Sequence, residues 1–252
     1  MSILQEVMAK KEYQGLDERF VSSVILKYLP KYDTSKKSGK DKLIKEVRAK
    51  LREVYGAFRA KNYDKKFKFL DGMNQWDDKL SAANILKVHL STRERIEYND
   101  KVYNWIKSYI DFNSVLDLGC GFNVFSMPWM GKVNYYGIDI NRDDVDFCNK
   151  YMSKFSLSWG IRWANLLTFD NYVFSDVCFM FKILDGLESI ERGASAKLLS
   201  KIRSQYIVAS FATKSLGGKK VISAKRLKWF EDMVIVTAKK RFGDEIYYII
   251  KR

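Results

Sequence analysis

The chain of 252 residues is 47% apolar, enough for one large domain or two modest ones, and holds no apolar run of the roughly eighteen residues that a membrane span needs. Three widely spaced cysteines and a single histidine, His89, leave no disulfide framework, zinc knuckle or Ser-His constellation, so hydrolase and metalloenzyme chemistry fall away and no metal is expected. The net charge of +15 is segregated, with 22 basic against 15 acidic side chains in residues 1–100, 10 against 11 in 101–200 and 13 against 4 in 201–252.

A neutral middle between basic flanks suits an enzyme that buries a small cofactor and meets a polyanion at its edges. Nucleic acid is therefore favoured over a generally lysine-rich surface. The N-terminus lacks a signal-peptide profile, and a cytoplasmic protein is expected.

In chain order, residues 1–30 carry apolar side chains at helical spacing, Val7, Phe20, Val21, Val24 and Ile25 among them, and Pro30 closes this stretch. Residues 33–42, DTSKKSGKDK, read as a loop. Residues 43–69 read as a basic amphipathic helix or helix pair, with Lys45, Arg48, Arg52, Arg59, Lys65 and Lys66 around a stripe of Leu43, Val47, Leu51 and Phe58. Thirteen basic and four acidic residues lie between Lys36 and Lys68, so this segment is expected to lie along folded RNA rather than to be only a lysine-rich exposed helix.

After a polar break at 71–79, residues 81–110 read as two helices, the second capped by Ser91 with Glu94 reaching back. Arg93 and Arg95 then fall in a first turn, where positive charge opposes the helix dipole. Either an anionic partner, such as the carboxylate of a cofactor's methionine moiety, or an intrahelical pair with Glu97 or Asp100 would hold them there.

The stretch VLDLGCGFN, residues 115–123, organises the rest of the chain. It reads as a buried strand running into a glycine turn and a helix start, where Gly119 and Gly121 let a ligand approach the backbone. The next strand, NYYGIDI, ends in Asp139, an acid placed to grip ribose hydroxyls. A dinucleotide fingerprint would want glycine at Val124, whereas Asp117 at the strand's carboxyl end suits a sulfonium cofactor. The motif thus favours S-adenosylmethionine over a nicotinamide or flavin, and Asp139 at the right distance favours either over a bare structural turn.

Strands follow at GIRWANLL, ending near Asn165, at DVCFMFKIL, whose Asp176 could equally be a simple strand-start residue, and at YIVASFA. A hairpin turning at Gly243 closes the chain. The expected fold class is α/β, a seven-stranded Rossmann-like methyltransferase sheet at 91–252 behind a helical N-terminal RNA-binding extension at 1–90. The ligand is expected over the strands' carboxyl ends, where Asp117, Asp139 and Asn165 fall.

The blocks KVHLSTRERI (87–96), VLDLGCGFNVFSMPWM (115–130), GIDI, DVCFMFKIL and SFATKSLGGKK (210–220) resemble, in order and spacing, the 16S ribosomal RNA methyltransferases that confer aminoglycoside resistance by methylating N7 of a guanine in the decoding-site helix. The resemblance implies that Arg95 binds the carboxylate of S-adenosylmethionine, Gly119 lets the cofactor lie on the turn, Asp139 holds its ribose and Asn165 lies near its adenine. It also implies that Lys214, Ser215 and the loop through Lys219 and Lys220 meet the target rRNA, that the N-terminal helices grip surrounding rRNA of the small subunit, and that the protein is a monomer. Two departures stand out: Val124 replaces a frequent proline, and KKVISAKRLKWF differs from the family's usual continuation.

Guanine N7 carries an in-plane lone pair and no proton, so its methylation needs alignment and no general base. Phe122 and Phe211 are candidates to stack on the target base, while His89 reads as a structural group. Methylation of another base of the same region, such as adenine N1, and a non-catalytic rRNA-binding assembly factor are the alternatives.

Overall fold

The apolar run at 177–181 becomes a strand buried on both faces, with Val177, Phe179 and Phe181 in one hydrophobic cluster and Cys178 and Met180 in the other. In the computed structural model, which describes residues 1–54, 62–214 and 221–252, this strand lies at the centre of a single sheet. Its seven strands are β1 (Ser114–Leu118), β2 (Asn134–Asp139), β3 (Trp159–Trp163), β4 (Val177–Phe181), β5 (Tyr206–Ala212), β6 (Val236–Phe242) and β7 (Glu245–Lys251). They run in the order β3-β2-β1-β4-β5-β7-β6. All neighbours among β1 to β5 are parallel, and β7 enters antiparallel to β5 because the hairpin at Gly243, at φ +55°, reverses the chain.

Helices cover both faces of the sheet. Helices α4 (Lys66–Asp71), α5 (Lys79–Lys87), α6 (Leu90–Arg93), α7 (Asn99–Lys107), α8 (Met127–Met130) and α9 (Arg142–Lys154) lie in sequence before the fourth strand, and apolar residues of α4, α5, α7, α8 and α9 join Val115 and Phe179 in one cluster. Helices α10 (Leu184–Ile190), α11 (Ala194–Lys201) and α12 (Lys228–Glu231) pack Leu184, Leu198 and Phe230 on the other face. Strand order departs in opposite directions from the β1–β4 pair, so their carboxyl ends open a crevice at the topological switch point.

Three N-terminal helices, α1 (Ile3–Met8), α2 (Glu18–Tyr28) and α3 (Lys37–Val54), share a third cluster built on Val7, Phe20, Val21, Leu43, Val47 and Leu51. The last of them starts inside the expected 33–42 loop. Asp33 Oδ1 accepts from Ser35 N and Oγ at 3.2 and 2.5 Å, and Gly39 sits against the Asp33 carbonyl, where a Cβ would come within 1.9 Å of the oxygen. The expected division after residue 90 does not follow the packing either. Tyr63, Leu70, Met73, Ile85 and Leu86 belong to the sheet's own cluster, so residues 62–90 are part of the sheet's covering layer.

Around residue 91 the local structure also differs from the expected cap. His89 is the N-cap of α6 and Ser91 lies inside it, while Thr92 Oγ1 donates to the Leu86 and His89 carbonyls. Arg95 is not in the first turn of a helix but precedes the short 3-10 turn Ile96–Tyr98. No described helix is long and apolar enough to cross a membrane. The three cysteines are buried and unpaired.

Asp176 holds the amino ends of β1 and β4 together, its Oδ2 accepting from Asn113 N at 2.9 Å, Ser114 N at 2.8 Å and Ser114 Oγ at 2.7 Å. Partial burial works against its charge, but these donors outweigh it and hold the carboxyl below its usual range. The stability it contributes is present above the ordinary carboxylate pKa and is lost as the pH falls through the lowered folded value. Asp176→Ala is expected to cost about 1–3 kcal/mol in urea unfolding at pH 7. The deficit should shrink on acidification.

Candidate active site

β1 ends in a turn that only glycine makes cheaply. Gly119 and Gly121 have φ of +65° and +47°, and a Cβ would lie 2.4 Å from Ile183 Cγ2 at the first and 2.9 Å from His89 Cε1 at the second. The turn is fixed to the neighbouring strand, Gly119 N and Cys120 N donating to the Ile138 carbonyl at 2.8 and 3.2 Å. Asp139, at the end of β2, accepts from Gly121 N through Oδ2 at 2.8 Å and from Asn141 N through Oδ1 at 2.9 Å. Burial raises its pKa and the main-chain donors pull against that rise.

Beneath the turn lies a buried polar cluster. Asp117 Oδ2 accepts from Asn123 Nδ2 at 2.6 Å and from the Tyr135 hydroxyl at 2.5 Å. Burial pushes the Asp117 carboxyl up to about 6 despite these donors and the nearby Arg95. Arg95, only 4% exposed, donates from Nη1 to Asn123 Oδ1 at 3.1 Å, pairs through Nε with Glu245 Oε2 at 3.6 Å, and lies 4.4 Å over the Phe181 ring. Its partner is therefore neither Glu97 nor Asp100. Burial opposes the Arg95 charge, but Glu245 and its neighbours hold the guanidinium pKa above its ordinary value.

Glu245 in turn meets Lys182 Nζ at 3.7 Å and accepts from Ser210 Oγ. Burial alone would raise its pKa, yet Arg95 and Lys182 hold it below the usual range. Lys182, directly after β4, has φ of +58°, a conformation that a non-glycine residue adopts at a cost of about 1–2 kcal/mol. It is held there by contacts from Nζ to the Ser91 carbonyl and Glu94 Oε2, both at 3.0 Å. Neither Lys182 nor Glu245 stood out in the sequence, because nothing local marks a pair that β4, β7 and residue 95 bring together.

A cavity of about 800 Å³ opens over the carboxyl ends of the strands. Arg95, Asp117, Gly119, Gly121, Asp139 and Asn165 all line it, as does Lys214, whose Nζ pairs with Asp244 at 3.0 Å. These residues fit S-adenosylmethionine by chemistry and by shape. Arg95 is a buried cation with a single hydrogen bond among the described residues, Asp139 is a buried carboxylate beside the glycine turn, and Ile140, Leu166 and Ile183 add apolar lining around Asn165. Asn165 Oδ1 already accepts from Leu167 N at 3.0 Å, which fixes its amide.

Several sequence expectations do not hold in the fold. Phe122 is fully buried among Tyr63, His89, Phe125 and Phe147, and Phe211 is fully buried against Phe230 and Tyr248, so neither offers a face to a base. Lys66 is 2% exposed, with Nζ 3.7 Å from Asp144 Oδ1 and 3.7 Å over the Tyr63 ring; it is a core ion-pair residue and not an RNA contact. Arg48 donates to the carbonyls of Glu6 and Val7, closing the end of the first helix, which uses its charge within the protein. Lys45, Arg52 and Lys65 are exposed, Arg52 beside Glu12 at 3.5 Å. Arg59, Ser215, Lys219 and Lys220 lie outside the described residues.

With a folded value near 6 against an ordinary carboxylate value near 4, Asp117 adds stability that is fully present below the unfolded value and is lost as the pH rises through 6. The difference amounts to on the order of 3 kcal/mol. In Asp117→Asn, whose amide oxygen can still accept from Tyr135, thermal unfolding is expected to lose this slope between pH 4 and 6, while affinity for S-adenosylhomocysteine at pH 7 is kept within a few-fold and that for the cationic S-adenosylmethionine falls by roughly tenfold.

The profile of the family described as ribosomal RNA methyltransferase (FmrO) matches residues 21–234. A 16S rRNA (guanine(1405)-N(7))-methyltransferase of Micromonospora rosea is 28% identical, with 83% of this chain and 82% of its own length aligned. One from Serratia marcescens is 25% identical, with 99% and 97% aligned. Among solved structures, the 16S rRNA methyltransferase RmtF in complex with S-adenosyl-L-homocysteine superposes with a TM-score of 0.86 at 28% identity, covering 99% of this chain and 96% of that one. The 16S rRNA methylase RmtB shares the fold, with a TM-score of 0.80 at 22% identity over 99% and 97% of the two chains. The chain belongs to the FmrO family of ribosomal RNA methyltransferases.

Proposed function

We propose that this protein, acting as a monomer on the small ribosomal subunit, transfers the methyl group of S-adenosylmethionine to N7 of the 16S rRNA guanine numbered 1405 in its relatives' names. The observation that carries the reading is the gathering of Arg95, Asp117, Gly119, Asp139 and Asn165 on one cavity, which continues to Lys214 beyond β5. S-adenosylmethionine supplies an electrophilic methyl group on a sulfonium. Arg95 holds the carboxylate of its amino acid end, Asp139 the ribose hydroxyls, and Asn165 with Leu166 the adenine end. Guanine N7 has no proton to remove, so the protein's contribution is to exclude water and align the lone pair with the methyl group.

Incubation with S-adenosylmethionine and unmethylated small subunits, followed by chain cleavage at N7-methylguanine, should give one new cleavage in the decoding-site helix. Methyl incorporation without that cleavage would shift the reading to another base, such as adenine N1. Intact rRNA binding without incorporation would favour an assembly factor. If the modification serves drug resistance, cells that express the protein should tolerate aminoglycosides that bind that helix.

The basic flank supports an electrostatic grip on rRNA outside the target, and Lys45, Arg52 and Lys65 are exposed members of it. Reversing Lys45 and Lys65 to Glu is expected to weaken subunit binding severalfold and to lower the slope of log affinity against log salt by roughly 2, with cofactor affinity unchanged; Arg52 is left in place because it also lines the cavity.

A further inference from the structure

Asp117, the glycine turn, Asp139 and Asn165 lie at or just beyond the carboxyl ends of β1, β2 and β3, on one side of the switch point, and Arg95 reaches across it to the Phe181 ring at the end of β4. The same cavity extends to the other side, over β4 and β5, where Lys182, Asp185, Lys214 and Arg226 line it. Asp185, in the first turn of α10, and Arg226, in the 3-10 turn Ala224–Leu227, form an ion pair of 2.7 Å from Nη2 to Oδ2. Arg226 Nη2 also donates to the Ala212 carbonyl at the end of β5, at 3.2 Å, so the guanidinium is anchored to the sheet. Both side chains are about one-third exposed, yet Arg226 Nε is buried and has no hydrogen-bond partner among the described residues. An unpartnered buried donor in a cavity wall has a cost that a ligand acceptor would remove.

We propose that Asp185 and Arg226 read the target base as guanine, a step that rests on the methyltransferase reading above. Guanine presents O6, an acceptor, beside N1–H and the N2 amino group, both donors, and O6 lies next to the N7 that receives the methyl group. The part of the Arg226 guanidinium that the cavity exposes donates to O6, and the Asp185 carboxylate accepts from N1–H and the N2 amino group. Adenine inverts this pattern. Its N6 amino group would face the Arg226 donor and its bare N1 the Asp185 carboxylate, although its N7 also carries an unprotonated in-plane lone pair. The pair therefore selects the base without taking part in methyl transfer.

The test compares methyl transfer to small subunits reconstituted from rRNA carrying either guanine or adenine at the target position. Wild-type protein and two single variants are used, Asp185→Asn and Arg226→Lys; the second keeps the positive charge and lacks the planar guanidinium donors. S-adenosylhomocysteine affinity, measured alongside, should be the same in all three. Wild-type kcat/KM is expected to favour guanine by roughly a hundredfold or more. Each variant should lose roughly tenfold or more on guanine and much less on adenine, which compresses the ratio. Equal losses on both bases would show that the pair only tethers its loop. A loss of S-adenosylhomocysteine affinity would place the residue on the cofactor. Either result overturns the assignment. A wild-type protein that forms no N7-methylguanine on normal subunits would instead refute the methyltransferase reading itself.

Discussion

The rest of the site depends on a positive charge held out of water. Arg95 comes from the segment ahead of β1, and its guanidinium meets Asn123 of the glycine loop, the Phe181 ring at the end of β4 and Glu245 at the start of β7. A buried cation is tolerated only with a partner, and removing one member of such a pair typically costs about 3–5 kcal/mol. Here Glu245 at 3.6 Å is its ion-pair partner, Asp117 adds a weaker attraction, and the cavity that Arg95 lines has room for the further anion of the proposed reading. The antiparallel β7 strand is thus tied to the chemistry as well as to the sheet, because it delivers Glu245 to the end of the crevice. Lys182, held in an unfavourable backbone conformation, completes the same charge cluster.

The glycine turn and Asp139 form the complementary half. Main-chain N–H groups of the turn and of the α9 entry take both oxygens of Asp139, so the acid's position is set by the backbone before any ligand arrives. Asn123 links the two halves, accepting from Arg95 and donating to Asp117. Such preorganisation matters most where the reaction needs alignment and no proton transfer.

Much of the sheet was legible because β1, β4 and β5 are apolar runs bounded by polar or glycine signals, whereas the edge strand β3, with one buried residue, ends at Trp163, short of the end expected near Asn165. Gly243, a signal of the same kind, marked the final hairpin. Several residues that line the cavity could be placed from VLDLGCGFN and the spacing to Asp139, since a strand, a glycine turn and a following acid are local signals. Pairings that the fold creates across distance were not legible. Glu245 lies far along the chain from Arg95, and Lys66 is indistinguishable in sequence from its exposed neighbours Lys65 and Lys68, yet turns inward to Asp144 and four aromatic rings. Phe122 and Phe211 border functional motifs but point into the two hydrophobic layers, where an aromatic side chain gains most from burial.

The most direct test of the Arg95 arrangement compares the affinities of S-adenosylhomocysteine and 5′-methylthioadenosine, which lacks the amino acid carboxylate, in the wild-type protein and in Arg95→Met. Wild type should prefer S-adenosylhomocysteine by roughly tenfold or more, the scale of a charge-assisted hydrogen-bonded contact. In the variant that preference should collapse while 5′-methylthioadenosine still binds, which would also show that the fold survives. A variant that keeps the full preference would contradict the role of Arg95 and place the carboxylate elsewhere.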